Sequence, residues 1–308
     1  MPIIVPKGLP AYKTLKAENV FVINEVRAKA QDIRPLRIAI VNLMPTKEVT
    51  ETQLIRMLAN TPLQVELKLL TMDSHESKNA DPNHMASFYE TYDHIKNERF
   101  DGMIITGAPV EFLPFEDVDY WEELMGIMDY TKGNVFSTIH ICWGAQAALY
   151  HHYGIEKYVL PKKLFGVFPH TVKDRTSELT RGFDEIFFAP HSRNTQVSKK
   201  DIEQISELRI LAESEEAGAH IIATKNKRWI FIQGHEEYDW NTLKLEYERD
   251  VKRGIAIDVP INYFKDDDPT KRVEVKWTGH ANLFFANWLN FVYQETPFNL
   301  DELEQMKW

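Results

Sequence analysis

Three places in the chain set chemically capable side chains at the end of an apolar run. The first is Ile139-His140-Ile141-Cys142-Trp143-Gly144. Val135–Ile141 reads as a buried strand and Trp143–Tyr153 as a helix stopped by Gly154. Cys142 therefore stands at a strand–turn–helix junction of the kind that exposes a nucleophile. The helix N-terminus beyond it favours a thiolate. The glycine usual two residues before such a nucleophile is replaced by His140. The other reading of Cys142 is a buried, inert thiol, since free cysteine is among the most buried residue types. The second place is Ile232-Gln233-Gly234-His235-Glu236-Glu237. Residues i and i+2 of an extended segment face the same way, so Glu237 could orient the imidazole of His235. With Cys142 these would supply nucleophile, base and orienter. Alone, a His-x-Glu is also what a loop of surface charges looks like. The run lacks the second histidine of a zinc-binding HExxH helix, and no metal site is expected. The third place is Thr106-Gly107-Ala108-Pro109-Val110-Glu111. Small residues after a strand let the backbone approach a ligand, and the N–H groups of Ala108 and Trp143 could form an oxyanion hole. A simple tight turn is the alternative. The chain has no GxxxxGK[ST], GxGxxG or GxSxG, so ATP, NAD and serine-hydrolase chemistry lose support.

The elements that must position these residues follow from periodicity. Leu36–Leu43 reads as a buried strand, and Thr46 as the N-cap of a helix with Val49, Leu54, Ile55 and Leu58 inside. Val65, Leu67 and Leu69 alternate as in a strand. Phe88, Tyr92 and Ile95 have helical spacing. Met103–Thr106 is a short strand. Trp121, Leu124, Met125 and Met128 mark a helix closed by Gly133. Ile210–Ala212, His220–Thr224 and Trp229–Gln233 read as strands, the last two joined at Lys225-Asn226-Lys227. Leu243–Val251 is a charged helix, Asp266-Asp267-Asp268-Pro269 a loop, and Leu283, Trp288, Phe291 and Val292 belong to a final helix. Strands alternating with helices imply βαβ units, a mostly parallel sheet and helices on both faces. Ligands of such sheets bind beyond the carboxyl ends of the strands, where all three candidate places fall. The expected organisation is an N-terminal extension over 1–35, a catalytic α/β domain over 36–296 and a C-terminal tail over 297–308. The extension holds an apolar stretch, Val20 to Ile23, and a polar run, Arg27 to Arg34.

Composition narrows the function classes. The 308 residues are 44% hydrophobic and 27% charged, as in an ordinary soluble globular protein. A net charge of −10 argues against nucleic acid as the main partner. No apolar run approaches the roughly 20 residues of a membrane span, and MPIIVPKGLP, with three prolines and no basic leader, does not read as a secretory signal. Cys142 is the single cysteine, so an internal disulfide is excluded and a cytoplasmic location is expected.

The three strand ends together resemble the class I glutamine amidotransferase-like (flavodoxin-like) fold with its Cys and His-x-Glu triad. Longer runs go further. QDIRPLRIAIVNLMPTK (Gln31–Lys47), TGAPVEFLPFEDVDYWEEL (Thr106–Leu124), CWGAQAALYHHYGI (Cys142–Ile155), KLFGVFPH (Lys163–His170) and QGHEEYD (Gln233–Asp239) resemble the cysteine-dependent homoserine O-acyltransferases of methionine biosynthesis. The similarity covers essentially the whole chain. It implies ping-pong acyl transfer: Cys142 takes the acyl group from an acyl-CoA, and the side-chain hydroxyl of L-homoserine then removes it, with His235 as base and Glu237 holding His235. Water must be kept out of such a site, or acyl-CoA would merely be hydrolysed. By motif, the resemblance makes Lys163 and Ser192 substrate-binding residues, Arg249 the group for the homoserine carboxylate, and Glu246 a partner for the amino group. It adds Lys47 as a further pocket residue. A guanidinium can grip a carboxylate through two parallel hydrogen bonds. From residues alone, Glu246 and Arg249 would read as an i,i+3 surface pair. The resemblance also implies a homodimer and no cofactor besides the co-substrate CoA thioester.

The family divides between acetyl-CoA and succinyl-CoA users. Succinyl users resemble this sequence but carry glycine where Glu111 follows GAPV. Two like charges ~4 Å apart at an effective dielectric of about 20 repel by roughly 4 kcal/mol, about a thousandfold. Glu111 would also shorten the acyl pocket. Acetyl transfer is therefore the expected reaction. The competing readings are succinyl transfer, glutamine amide hydrolysis by the same triad, serine as acceptor, and a non-catalytic redox-sensing module using Cys142.

Overall fold

The computed structural model describes residues 3–6, 8–18, 22–24, 34–75 and 80–306. Its strands are β1 (Ile3–Val5), β2 (Val22–Asn24), β3 (Leu36–Val41), β4 (Val65–Leu70), β5 (Tyr89–Glu90), β6 (Phe100–Ile105), β7 (Val135–Ile141), β8 (Lys157–Val172), β9 (Ile186–Val197), β10 (Leu208–Ser214), β11 (Gly218–Thr224) and β12 (Trp229–Ile232). The α-helices are α1 (Pro10–Ala17), α2 (Lys47–Leu58), α3 (Pro82–Phe88), α4 (Tyr92–Ile95), α5 (Trp121–Asn134), α6 (Trp143–Tyr153), α7 (Lys199–Gln204), α8 (Thr242–Lys252) and α9 (Thr278–Glu295).

The strands form one sheet in the order β2-β1-β4-β3-β6-β7-β12-β11-β10-β8-β9, with β5 beside β4. From β2 to β12 neighbours are parallel; from β12 to β9 they are antiparallel. The segment β4-β3-β6-β7-β12 has the flavodoxin-like order 2-1-3-4-5. Its central strands β6, β7 and β12 are buried on both faces, so they show no alternation of apolar and solvent-facing residues. Alternate residues serve opposite faces. Ile38, Ile40, Ile104 and Ile139 pack with residues of α1, α2 and α9. Ala39, Val41, Met103 and Ile105 pack with α5 and α6.

Several sequence expectations change in detail. Val49 is exposed and does not belong to the inner face of α2, whereas Leu54, Ile55 and Leu58 do. Thr46 takes the N-cap position without a side-chain cap bond. Phe88, Tyr92 and Ile95 do not share a helix: Tyr89-Glu90 leaves α3 to pair with β4 before α4 begins. Gly133 lies inside α5, which passes at Asn134 directly into β7. Lys265–Asp267, in the acidic loop, forms a short 3-10 turn. The long hairpin β8–β9 has no counterpart in the periodicity reading. Lys162, Lys163, Pro161 and Pro169 interrupt any apolar alternation in β8, and a register shift between Val159 and Leu164 breaks its pairing. At the N-terminus, β1 and β2 extend the edge of the sheet beyond β4. Residues 27–33 of the polar run lie outside the described residues, while Arg34 pairs with buried Asp101 through two hydrogen bonds of 3.0 and 2.8 Å.

Two features bring distant segments to the site. At Gly166, φ is +146°, and a β-carbon there would fall 2.4 Å from the carbonyl oxygen of Ile261. The missing side chain lets the 261–264 loop cross β8. Phe165, Val167, Leu243, Tyr263, Phe264 and Trp277 then form a small apolar cluster that seats α8 on the hairpin.

Candidate active site

Cys142 follows the last residue of β7 and occupies the N-cap position of α6. Its φ of +51° is unusual for a residue with a side chain. The strain is held by neighbours: the Cys142 N–H donates to Ile232 O at 2.7 Å, and its carbonyl accepts from Ala145 and Gln146. Close packing of α6 against β6 depends on Gly144, where a β-carbon would lie 2.5 Å from Thr106 O. On the other side, a β-carbon on Gly107 would lie 3.3 Å from Cβ of Cys142 and 3.7 Å from Cε1 of His235. The third strand end thus lies against the first two. Ala108 is buried at this junction, and Trp143 opens the first turn of α6.

His235 lies just past the end of β12, with its N–H donating to Pro190 O at 2.9 Å. Its Nδ1 is 2.7 Å from Glu237 Oε1, and its ring and the Cys142 side chain both pack beside Gly107. Burial alone would lower its pKa. The neighbouring Cys142 and Glu237 charges and the hydrogen bond to Glu237 override that effect and hold it well above the usual histidine range. The site thus keeps a proton on the imidazole beside the sulfur. Tyr238 stacks on the His235 ring at 4.1 Å and 14°. Burial, then the charges of Glu246 and Glu237, keep the Tyr238 hydroxyl protonated. Glu236 turns the other way, 2.7 Å from His220 Nε2, and burial pushes its carboxyl up to about 8.

A second cluster gathers Lys163 of β8, Ser192 of β9, and Glu246 and Arg249 of α8. Lys163 Nζ donates to Glu246 Oε1, and Ser192 Oγ contacts both Glu246 oxygens at 2.8 and 2.9 Å. Arg249 is half exposed. It lies 3.8 Å from Glu246 and donates at 2.7 Å to Asp250, so the i,i+3 ion pair is the weaker of its two contacts. Glu111 lies on the loop after β6. Asn194 N is 3.1 Å from both of its carboxylate oxygens, and Asn194 Nδ2 is 2.7 Å from Oε2. Lys47 stands apart. It is buried, its Nζ donates to Asn42 O, and burial lowers its pKa to about 8. Among the described residues no hydrogen bond joins it to either cluster.

Strand β9 connects these parts, and sequence reasoning missed most of it. Pro190 holds the His235 backbone, Ser192 meets Glu246, and Asn194 meets Glu111. Thr195 Oγ1 donates to Gln146 Oε1 at 2.8 Å, which ties β9 to α6. The polar alternation of His191-Ser192-Arg193-Asn194-Thr195-Gln196 is the signal that could have revealed it, since period-2 residues of a strand share a face. On the buried face, His170, His191 and His220 bring ring nitrogens within 4.8 Å of one another. Arg193 Nε donates to His191 Nδ1 at 3.2 Å, and a guanidinium cannot accept. His191 therefore carries its proton on Nε2 and donates to His170 Nε2 at 3.1 Å. That proton occupies the lone pair a metal would need. Burial lowers the pKa of all three, His220 to about 3, so the cluster is a chain of neutral imidazoles.

The homoserine O-succinyltransferase family model matches residues 2–298. The chain belongs to this family. The chain is 59% identical to a homoserine O-acetyltransferase of Acetivibrio thermocellus over 305 residues, 99% of this chain and 100% of that one. It is 60% identical to a homoserine O-acetyltransferase of Clostridium novyi, covering 97% of this chain and 99% of that one. Among solved structures it is similar to a putative GMP synthase protein of Thermoplasma acidophilum, with a TM-score of 0.53 and 14% identity, covering 85% of this chain and 96% of that one. It is also similar to a glutamine amidotransferase of Thermotoga maritima, with a TM-score of 0.53 and 9% identity, covering 84% and 99%. At these identities the likeness is one of fold, and it agrees with the class I glutamine amidotransferase-like architecture. Among the described residues no helix is long and apolar enough to cross a membrane.

Proposed function

We propose that this chain transfers an acetyl group from acetyl-CoA to the side-chain hydroxyl of L-homoserine, giving O-acetyl-L-homoserine and CoA in methionine biosynthesis. The observation that carries the reading is Cys142, held at φ +51° at the mouth of α6, beside Gly107 together with His235, whose Nδ1 is 2.7 Å from Glu237 Oε1. Family membership and the acetyltransferase relatives supply the substrates.

The Cys142 sulfur, as thiolate, attacks the thioester carbon of acetyl-CoA. The oxyanion accepts hydrogen bonds from the N–H groups of Trp143 and Ala108. The C–S bond to CoA breaks, and CoA takes the proton of His235 as it leaves. His235, now neutral, removes the proton of the homoserine hydroxyl while that oxygen attacks the Cys142 thioester. The C–S bond to Cys142 breaks, product leaves, and thiolate and imidazolium are restored. Arg249 receives the homoserine carboxylate. Glu246, oriented by Lys163 and Ser192, receives the ammonium group. Glu111 disfavours an acyl chain that ends in a carboxylate. The same reading, by family resemblance, includes a cytoplasmic homodimer with no cofactor other than the CoA carrier.

The test is intact mass after mixing with acetyl-CoA or succinyl-CoA, followed by homoserine. The expected result is an acetyl adduct, absent in Cys142→Ala, that disappears as O-acetylhomoserine forms. A succinyl adduct would overturn the acyl assignment. No adduct from either donor, with no CoA released when homoserine is present, would overturn the transferase reading.

A further inference from the structure

Residue 111 is pinned at both ends. Lys157 Nζ donates to the carbonyl oxygens of Glu111 and Leu113 at 2.9 and 2.6 Å, which fixes the loop. The carboxylate takes hydrogen bonds from both the main chain and the side chain of Asn194. A glutamate carries several rotatable bonds and loses considerable freedom when held in this way, so the contact selects one position from many. Asn194 lies on the same face of β9 as Ser192, which meets Glu246, and two residues along a strand span roughly 7 Å. The buried neighbour Arg193 sets the register, donating to His191, to Thr195 O at 2.7 Å and to Ala217 O at 2.7 Å. One rigid strand therefore positions the group assigned to the acceptor's ammonium and the group assigned to acyl choice.

We propose that Asn194 is a specificity-determining positioning residue, latching the Glu111 carboxylate so that acyl chains ending in a carboxylate are refused. The inference rests on the acetyl reading and deepens it. Unlatched, Glu111 can rotate out of the acyl path, and the site then tolerates succinyl-CoA. The role tested is that of the side chain, since the main-chain N–H is kept in the alanine and serine variants.

The experiment compares the ratio of kcat/KM for acetyl-CoA over succinyl-CoA in wild type and Asn194→Ala, each with Glu111 intact and with Glu111→Gly. Loss of a hydrogen bond to a charged group predicts about a tenfold fall in the ratio when Glu111 is present. It predicts no change beyond about twofold in the Glu111→Gly background, because a positioning effect needs the group it positions. Asn194→Ser serves the same comparison if the alanine variant does not fold. An unmoved ratio with Glu111 intact, or an equal fall in both backgrounds, overturns the latch while wild-type preference for acetyl-CoA stands. A wild type that uses both donors equally overturns the acetyl reading and the latch with it.

Discussion

At the residue scale the site is governed by one proton. His235 holds it more tightly in the folded chain than in the unfolded one, because Cys142 and Glu237 outweigh the effect of burial. A raised pKa contributes stability that is complete below the usual histidine value of about 6.5 and is lost as the pH rises through the native value. Glu237→Gln removes part of what holds the proton. Its destabilisation relative to wild type, followed by urea denaturation, is therefore expected to be largest near about pH 5.5 and to shrink as the pH rises. A deficit that grows with pH would show that Glu237 does not support the imidazolium. Cys142, His235 and Glu237 were legible because each lies just past the end of a buried strand. Asn194 and Tyr238 were not, since an amide or a phenol in a mixed segment carries no chemical signature until its partner is known.

At the element scale β9 matters most, and it was the least legible. Its apolar alternation is broken by the polar residues that serve the site on one face and the imidazole chain on the other. Its partner β8 carries lysines and prolines. By contrast β7 and α6 were readable to the residue, from a seven-residue buried strand to a glycine stop at φ +67°. Their junction gives a sharp prediction. Gly144→Ala places a β-carbon against the carbonyl of Thr106, a backbone atom that cannot turn aside. The helix must shift, at a cost of about 1–3 kcal/mol in unfolding free energy. Alkylation of Cys142 by iodoacetamide should slow, since Cys142, at the N-cap of α6, moves with the helix. Unchanged stability and unchanged alkylation would show that α6 does not depend on this contact.

At the scale of the whole molecule two apolar layers clamp the sheet. On one side the anchor is Trp288 of α9, fully buried, against which a β-carbon on Gly102 would clash at 2.7 Å, with its Nε1 donating to Ser137 Oγ at 3.0 Å. Trp288→Ala should cost about 3–5 kcal/mol, read from the denaturation midpoint. A loss below about 1 kcal/mol would mean that the layer repacks freely. By itself the sequence determined the doubly wound α/β class, the strand ends that carry Cys142, His235 and Glu237, and, through long matching runs, the family. Those are local properties, carried by hydrophobic period and nearby residue type. Only the tertiary structure decided that the hairpin β8–β9 reaches the site, that Glu246 belongs with Lys163 and Ser192, and that Asn194 grips Glu111. These contacts join residues 54 to 83 positions apart. A hydrogen bond between polar side chains leaves no periodic trace in either segment, so it becomes visible only when packing brings the two together.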